Sequence, residues 1–280
     1  MGANFVLVAN ERSGSFDADT VQAILDHSDA LGLGKPRAHL LPDHSCPSPD
    51  ALEDADIVAV FGGDGTVNSV VSCLDGWGGA VLILPGGTMN LASKRLHGDR
   101  PWRAIMDDVQ RGATTRERHK VLSTSQGMAL AGVMLGPGTA WNDVREAMRE
   151  VDLAAMAAST VSAFSTTADG PRVYCAQPRI GRKEGYPMLE VRCDGESMRL
   201  DCFHADDAGE FLVGLSALAL RDFRAGPHDT FHTTDEVTFR SSDGSPVALL
   251  LDGEPAEESP SITVSMAECG VDLLATAVDD

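Results

Sequence analysis

Asp56-Ile-Val-Ala-Val-Phe-Gly-Gly-Asp-Gly-Thr-Val-Asn68 is the stretch that decides how the first half of the chain reads. The apolar run from Asp56 to Phe61 predicts a strand buried on both faces, as in a parallel sheet. Thr66 to Leu74 predicts a short helix with Val67, Val70 and Val71 on its apolar face. Gly62-Gly-Asp-Gly65 joins the two. Adjacent glycines remove side chains, so backbone N–H groups can approach an anion closely. A helix starting there adds its positive dipole end and free N–H groups. Neither GxxxxGK[ST] nor GxGxxG is present. Asp64 would repel a phosphate, so it fits either the orientation of a loop N–H or a water-mediated hold on Mg²⁺. A generic strand–glycine turn–helix without a ligand is the plain alternative.

The same arrangement recurs on either side. Phe5 to Ala9 predicts a buried strand, Asn10 to Gly14 a loop, and Asp19 to Ala30 a helix with Val21, Ile24 and Leu25 on one face. Ala80 to Leu84 predicts a third strand ending at Pro85. Pro85-Gly-Gly-Thr-Met-Asn90 then leads into helices near Asn90 to Leu96 and Trp102 to Gln110. Residues 42–50, with Pro42, Pro47 and Pro49, read as a loop. This is an α/β layered pattern with crossovers. In such a sheet ligands collect at the carboxyl ends of the strands. Asn10 and Ser13 should reach that edge beside both glycine loops. Thr88 and Asn90 can offer a hydroxyl and an amide to a nucleotide. A plain N-cap role for Asn90 is the alternative.

After Gly112 the pattern changes. Strands are predicted at Lys120 to Ser125, Gly127 to Leu135, Arg172 to Ala176, Met188 to Cys193 and Ser197 to Phe203. Others fall at Phe211 to Leu220, Glu236 to Arg240, Val247 to Leu251 and Ser261 to Met266. One helix is predicted from about Asn142 to Phe164. Turn signals such as Asp194-Gly195 and Asp243-Gly244 mark an antiparallel sheet domain. Leu250-Leu-Asp-Gly-Glu254 delivers two carboxylates, Asp252 and Glu254, at the end of an apolar strand. Such a pair can deprotonate a hydroxyl or hold Mg²⁺. A DG hairpin turn is the plain alternative.

The chain has 280 residues, 43% of them apolar, enough for a sizeable core. Its 22 basic and 42 acidic side chains give a net charge of −20. That argues against unspecific nucleic-acid binding. No apolar run is long enough to span a bilayer, and the N-terminus lacks the basic start of a signal peptide. The six cysteines form no CxxC pair and show no zinc spacing, so they read as thiols in a reducing, cytoplasmic setting. Residues 91–120 hold eight basic against four acidic side chains. Lys94, Arg95, Arg100 and Arg103 there read either as a solvated helical surface or as a positive rim for an anionic surface.

Taken together, Asn10-Glu-Arg-Ser-Gly14, Gly62 through Asn68, Gly87-Thr-Met-Asn90 and Asp252-Gly-Glu254 resemble the diacylglycerol kinase catalytic family of soluble bacterial lipid kinases, which is related more distantly to NAD kinases. The resemblance implies an N-terminal α/β nucleotide-binding domain and a C-terminal antiparallel β-sandwich, here 1–118 and 119–280, with the extreme C-terminal segment returning to the first. It also implies an active site in the cleft between them. Asn10, Ser13, Gly62, Gly63, Asp64, Gly65, Thr66, Asn68, Gly87, Thr88 and Asn90 would surround ATP. Asp252 and Glu254 would supply the base. Asp206 and Asp207 are the nearest counterparts of the family's structural Mg²⁺ loop. Glu11 stands where the family has proline, Ser69 where it has glutamate, and Leu91 where it has aspartate.

By the same resemblance the reaction is ATP- and Mg²⁺-dependent phosphorylation of a hydroxyl on diacylglycerol or a similar lipid. The partner is a lipid met at a membrane surface through transient peripheral contact, at its cytoplasmic face. A homodimer is left open. The alternatives are a kinase for NAD or a soluble metabolite, and a non-catalytic nucleotide- or lipid-binding regulator.

Overall fold

The computed structural model describes residues 4–13, 16–33, 36–43, 45–52, 54–140, 170–204 and 228–276. The predicted helix at 142–164, the predicted strand at 211–220 and the candidate metal residues Asp206 and Asp207 lie outside the described residues. The chain divides into two units, residues 1–121 with 268–280, and residues 122–267.

The first unit is a layered α/β sheet. Strands β1 (Phe5–Asn10), β2 (Arg37–Leu41), β3 (Ile57–Gly62) and β4 (Ala80–Pro85) pair in parallel in the order β2-β1-β3-β4. The strands read as apolar runs, β1, β3 and β4, are buried along almost their whole length. A sheet covered on both faces demands that pattern. Helix α1 (Ala18–Ala30) turns Val21 and Ile24 into the core and is capped by Asp17, whose carboxylate accepts from Thr20 N at 3.0 Å. Helices α2 (Asp64–Cys73), α3 (Leu91–His97) and α4 (Trp102–Arg111) follow. Strand β5 (Thr114–Glu117) closes the sheet edge. Its neighbour is β17 (Asp272–Thr276), which comes from the end of the chain and lies parallel to β4 and antiparallel to β5.

The second unit is a pair of antiparallel sheets sharing one core. Between β5 and β17 in the chain come β6 (Lys120–Thr124), β7 (Gly127–Ala129), β8 (Val133–Leu135), β9 (Val173–Gln177), β10 (Met188–Asp194) and β11 (Ser197–Phe203). They are followed by β12 (His228–Thr233), β13 (Val237–Ser241), β14 (Val247–Leu251), β15 (Glu254–Ser259) and β16 (Ile262–Glu268). One sheet runs β12-β11-β10-β8-β14-β15 and the other β7-β6-β16-β13-β9. Leu189, Val191, Leu200 and Leu249 of the first sheet share an apolar cluster with Leu122, Phe239, Ile262 and Val264 of the second. Alternate residues of each strand therefore point inward, as in a sandwich.

Two expectations from the sequence need correction. Gly127 to Leu135 is not one strand but two, β7 and β8, which belong to different sheets. The N–H groups of Leu130, Ala131 and Gly132 all donate to the carboxylate of Asp252, at 2.7–3.0 Å. Those donors are thereby withdrawn from a ladder, and the chain crosses between sheets at that point. Helix α2 also starts at Asp64, two residues earlier than the valine pattern indicated, with Gly63 at the N-cap.

A buried histidine ties the last strand to the first unit. His97, at 0% exposure, accepts the Thr276 N–H on Nδ1 at 3.3 Å. Burial, helped by the nearby Arg100 cation, pushes its pKa down from 6.5 to about 4. The unfolded chain therefore binds a proton between those two values while the folded chain does not. Stability from this site is complete above pH 6.5 and is lost as pH falls toward 4, a loss of about 3 kcal/mol. Thermal melts from pH 7.5 to 4 should show this decline, and His97→Gln should flatten it.

Candidate functional site

The sheet register aligns three loops at one edge. Asn10 lies opposite Leu41, Ala9 opposite Phe61, and Gly62 opposite Pro85. The chain leaves β1, β3 and β4 there, at their carboxyl ends. The two glycine loops are in backbone contact. A Cβ built on Gly87 would fall 2.6 Å from Gly63 Cα, and one on Gly86 2.6 Å from Gly62 N. Only glycine permits this approach. A Cβ on Gly63 itself would meet nothing nearer than Gly87 Cα at 4.0 Å. Glycine at 86 and 87 is thus required by the fold, whereas glycine at 63 leaves open space in front of the helix.

Side chains lock this edge internally. Asp64, 7% exposed, accepts the Ala92 N–H at 3.0 Å, joining the start of α2 to the start of α3. The N–H that Asp64 engages is that of a residue in the first turn of α3 rather than of a loop. Asn90 has φ of 52°, accepts the Gly87 N–H at 2.7 Å and donates to Gly87 O at 2.9 Å. It occupies the N-cap position, yet its side chain closes its own loop and makes no capping bond. The Asn10 amide donates to Thr66 Oγ1 at 3.2 Å, and its Oδ1 accepts the Arg12 N–H at 3.0 Å. Ser13 N–H donates to Asn10 O at 3.0 Å, folding the first loop against the strand end. Asn68 is half-buried one turn along and accepts from Ser72 Oγ at 3.5 Å.

This network leaves the beginning of α2 with no side-chain cap. A helix start in that condition carries N–H donors and the positive dipole end. Gly65 and Thr88 are exposed beside it. The edge therefore combines a glycine-lined space, helix N–H groups and a hydroxyl, which suits the phosphates of a nucleotide. For a metal the fit is poorer. Among the described residues no cluster of three His, Cys, Asp or Glu side chains could hold one.

The Asp252–Glu254 motif lies in the second unit. Leu251 pairs with Glu254 across a two-residue loop, and Asp252 and Gly253 have φ of 51° and 85°. This is a type I′ hairpin, whose two positive φ values Asp-Gly accommodates. The hairpin reading and the carboxylate reading meet here, but the two acids are not equivalent. Asp252 is 3% exposed, and both of its oxygens accept backbone N–H groups. Glu254 is exposed at the start of β15. Nothing in the sequence marks residues 130–132 as Asp252's partners, since they lie some 120 positions away.

The basic stretch behaves differently from a positive rim. Arg100 and Arg111 both pair with Asp108, and Arg116 and Arg118 with Asp272. Lys94 lies 3.9 Å from Asp99 and Lys120 3.3 Å from Glu268, while Arg103 stacks over Trp102. The positive excess of 91–120 is largely answered by acids, two of them, Asp272 and Glu268, distant in sequence.

Residues 4–119 match the family model of the diacylglycerol kinase catalytic domain. This segment belongs to that family. It is a family of kinases, phosphotransferases with an alcohol group as acceptor. None of the curated proteins matches the chain. Among solved structures, the chain is similar to one described as a diacylglycerol kinase from Bacillus anthracis. The TM-score is 0.65 at 13% identity, over 98% of this chain and 97% of that one. A second structure from that organism gives 0.66 at 14% identity, over 98% and 95%. At these identities the likeness speaks for the fold. Among the described residues no helix is long and apolar enough to cross a membrane.

Two sets of substitutions separate folding roles from exposed ones. Gly87→Ala and Gly86→Ala should each destabilise by about 1–3 kcal/mol through backbone overpacking, whereas Gly63→Ala should stay within about 1 kcal/mol. Asp252→Asn places an NH₂ group against backbone donors and should cost about 1–3 kcal/mol; Glu254→Gln should change stability by less than about 0.5 kcal/mol. Denaturant titration of the five variants checks all of these values.

Proposed function

We propose that the chain is an ATP-dependent lipid kinase that transfers the γ-phosphoryl group to a hydroxyl of diacylglycerol or a similar lipid. The observation that carries this reading is the backbone contact of the two glycine loops beside the uncapped start of α2. Membership of 4–119 in the kinase family supports it. In this reading the backbone of Gly62–Thr66 and the Thr88 hydroxyl hold the phosphates. Asn10, Asp64 and Asn90 act one step back, by fixing the loops. ATP supplies the phosphoryl group, and Mg²⁺ accompanies its phosphates, offsetting their charge. The described residues offer no metal cage of their own, so no step is assigned to the ion.

The acceptor hydroxyl must lose a proton as its oxygen attacks phosphorus. Glu254 is proposed as the base because it is exposed, whereas the carboxylate of Asp252 is engaged by three backbone donors. Asp252 then acts as a positioning residue, holding the tight turn that presents Glu254. A lipid acceptor implies transient contact with a membrane surface. The paired arginines of 100–118 do not favour a purely electrostatic attachment, and a net charge of −20 opposes one on anionic lipid.

The test is a transfer assay with ATP and Mg²⁺ against diacylglycerol, a sphingoid base, phosphatidylglycerol and NAD. Phosphate should appear on diacylglycerol or another lipid of the panel; transfer to NAD alone, or to none of the four, overturns the reading. Glu254→Gln should lose about 10²-fold or more in kcat with ATP affinity unchanged. Gly63→Ala should fold normally yet bind ATP weakly, because its methyl group enters the space in front of the helix.

A further inference from the structure

Two free thiols of the first unit lie near the last turn of helix α2. Cys46 is half-buried in the segment that follows β2, and its Sγ donates to Ser69 O at 3.7 Å. Ser69 sits on α2 one turn before Cys73, the last residue of that helix. The Cys46 thiol therefore rests against the final turns of α2, from which Cys73 emerges, and Cys73 is near enough to help burial raise the Cys46 pKa. Cys73 is exposed, whereas Cys175, Cys202 and Cys269 are buried. Burial pushes the Cys46 thiol up to about 12, so it stays protonated at neutral pH. Cys73 is the member of the pair that a solvent-borne oxidant reaches first.

We propose that Cys46 and Cys73 form a reversible disulfide when the protein meets a hydroperoxide, tying the segment after β2 to helix α2. In the first step the Cys73 sulfur, as thiolate, attacks one peroxide oxygen. An S–O bond forms, the O–O bond breaks, and the second oxygen leaves as water once protonated. Cys73 is then a sulfenic acid. In the second step the Cys46 sulfur attacks that sulfur. The S–S bond forms, the S–O bond breaks, and hydroxide leaves, taking up the Cys46 proton as a second water. The two thiols lose two electrons and two hydrogens in all, and one hydrogen peroxide is reduced to two waters. A dithiol reductant reverses the change.

The position gives the bond a consequence. β2 runs parallel to β1, with Leu41 opposite Asn10, so the segment carrying Cys46 leaves the sheet at the carboxyl edge that bears the glycine loops. Helix α2 starts at the same edge with Gly63 and Asp64. A covalent tie between the two narrows the motions open to that edge and to the unfolded chain. The disulfide itself does not rest on the kinase reading, so its test is chemical and thermal.

The full-length protein is treated with limiting hydrogen peroxide, free thiols are alkylated, and intact mass and unreduced peptides are read. A monomer lighter by two hydrogens is expected, with the Cys46 and Cys73 peptides joined and dithiothreitol reversing the link. Cys73→Ser should form no link. Cys46→Ser should leave Cys73 as a sulfenic acid that reacts with dimedone. Oxidation should raise the Tm of wild type and leave that of Cys46→Ser unchanged. The proposal is overturned if Cys73 advances to sulfinic acid while Cys46 remains fully alkylated, or if the link forms only between two chains.

Discussion

The buried carboxylate of Asp64 braces the carboxyl edge of the first unit's sheet. It reaches from the first turn of α2 to the Ala92 N–H of α3, and this bridge sets the separation of the two glycine loops. Their backbones can then touch at Gly63 and Gly87. An acid beside a loop proposed to hold phosphate is electrostatically unfavourable unless its carboxylate is already engaged, and here a backbone N–H engages it. The rest of the edge follows. Asn90 fastens the second loop on itself, Asn10 fastens the first loop to Thr66, and the helix start is left open. Preorganisation of this kind means that loop shape does not have to be created when a ligand arrives.

Asp252 repeats the device in the second unit. It too is nearly buried and gathers backbone N–H groups. It sits at a positive φ, in a turn that only a few residue types tolerate. The same side chain thus decides where the 127–135 segment breaks, which sheet each piece joins, and where the neighbouring Glu254 begins its strand.

What the sequence revealed follows burial. β1, β3 and β4 are continuous apolar runs because both faces of a parallel sheet are covered, so they could be read directly. The strands that escaped reading include β2, β5, β12 and β15, the four edges of the two six-stranded sheets. Arg37 in β2 and Glu254, Glu257 and Glu258 in β15 carry charged, exposed side chains, as an edge strand needs to avoid further pairing. Their strand character comes from a neighbour, which local pattern does not record. β17 was expected only as a segment returning to the first unit and not as a strand, since its parallel partner β4 lies far back in the chain. At the site, residue types and loop order were legible from Gly62–Thr66 and Gly87–Asn90. The roles within those loops were not, because the partners of Asp64 and Asp252 are backbone groups of distant residues. Part of the charge excess of 91–120 is answered from afar: Asp272 and Glu268 are more than 140 positions from the Arg116 and Lys120 they pair with.

The placement of β17 also bears on how the chain is made. A ribosome delivers residues 5–117, with every other strand of the first sheet, before the second unit exists. Yet the sheet is continuous only when 272–276 is inserted between β4 and β5. Until then these two strands have no common neighbour, and β4 presents an unpaired apolar edge to solvent throughout synthesis of 122–267. The N-terminal unit is consequently the first to be started and the last to be finished. The chain's long-range pairing delays completion, because a loop of that size has to close before the contact is gained. Premature truncation anywhere before residue 272 would leave a sticky sheet with an empty slot, the kind of species that chaperones and proteases remove.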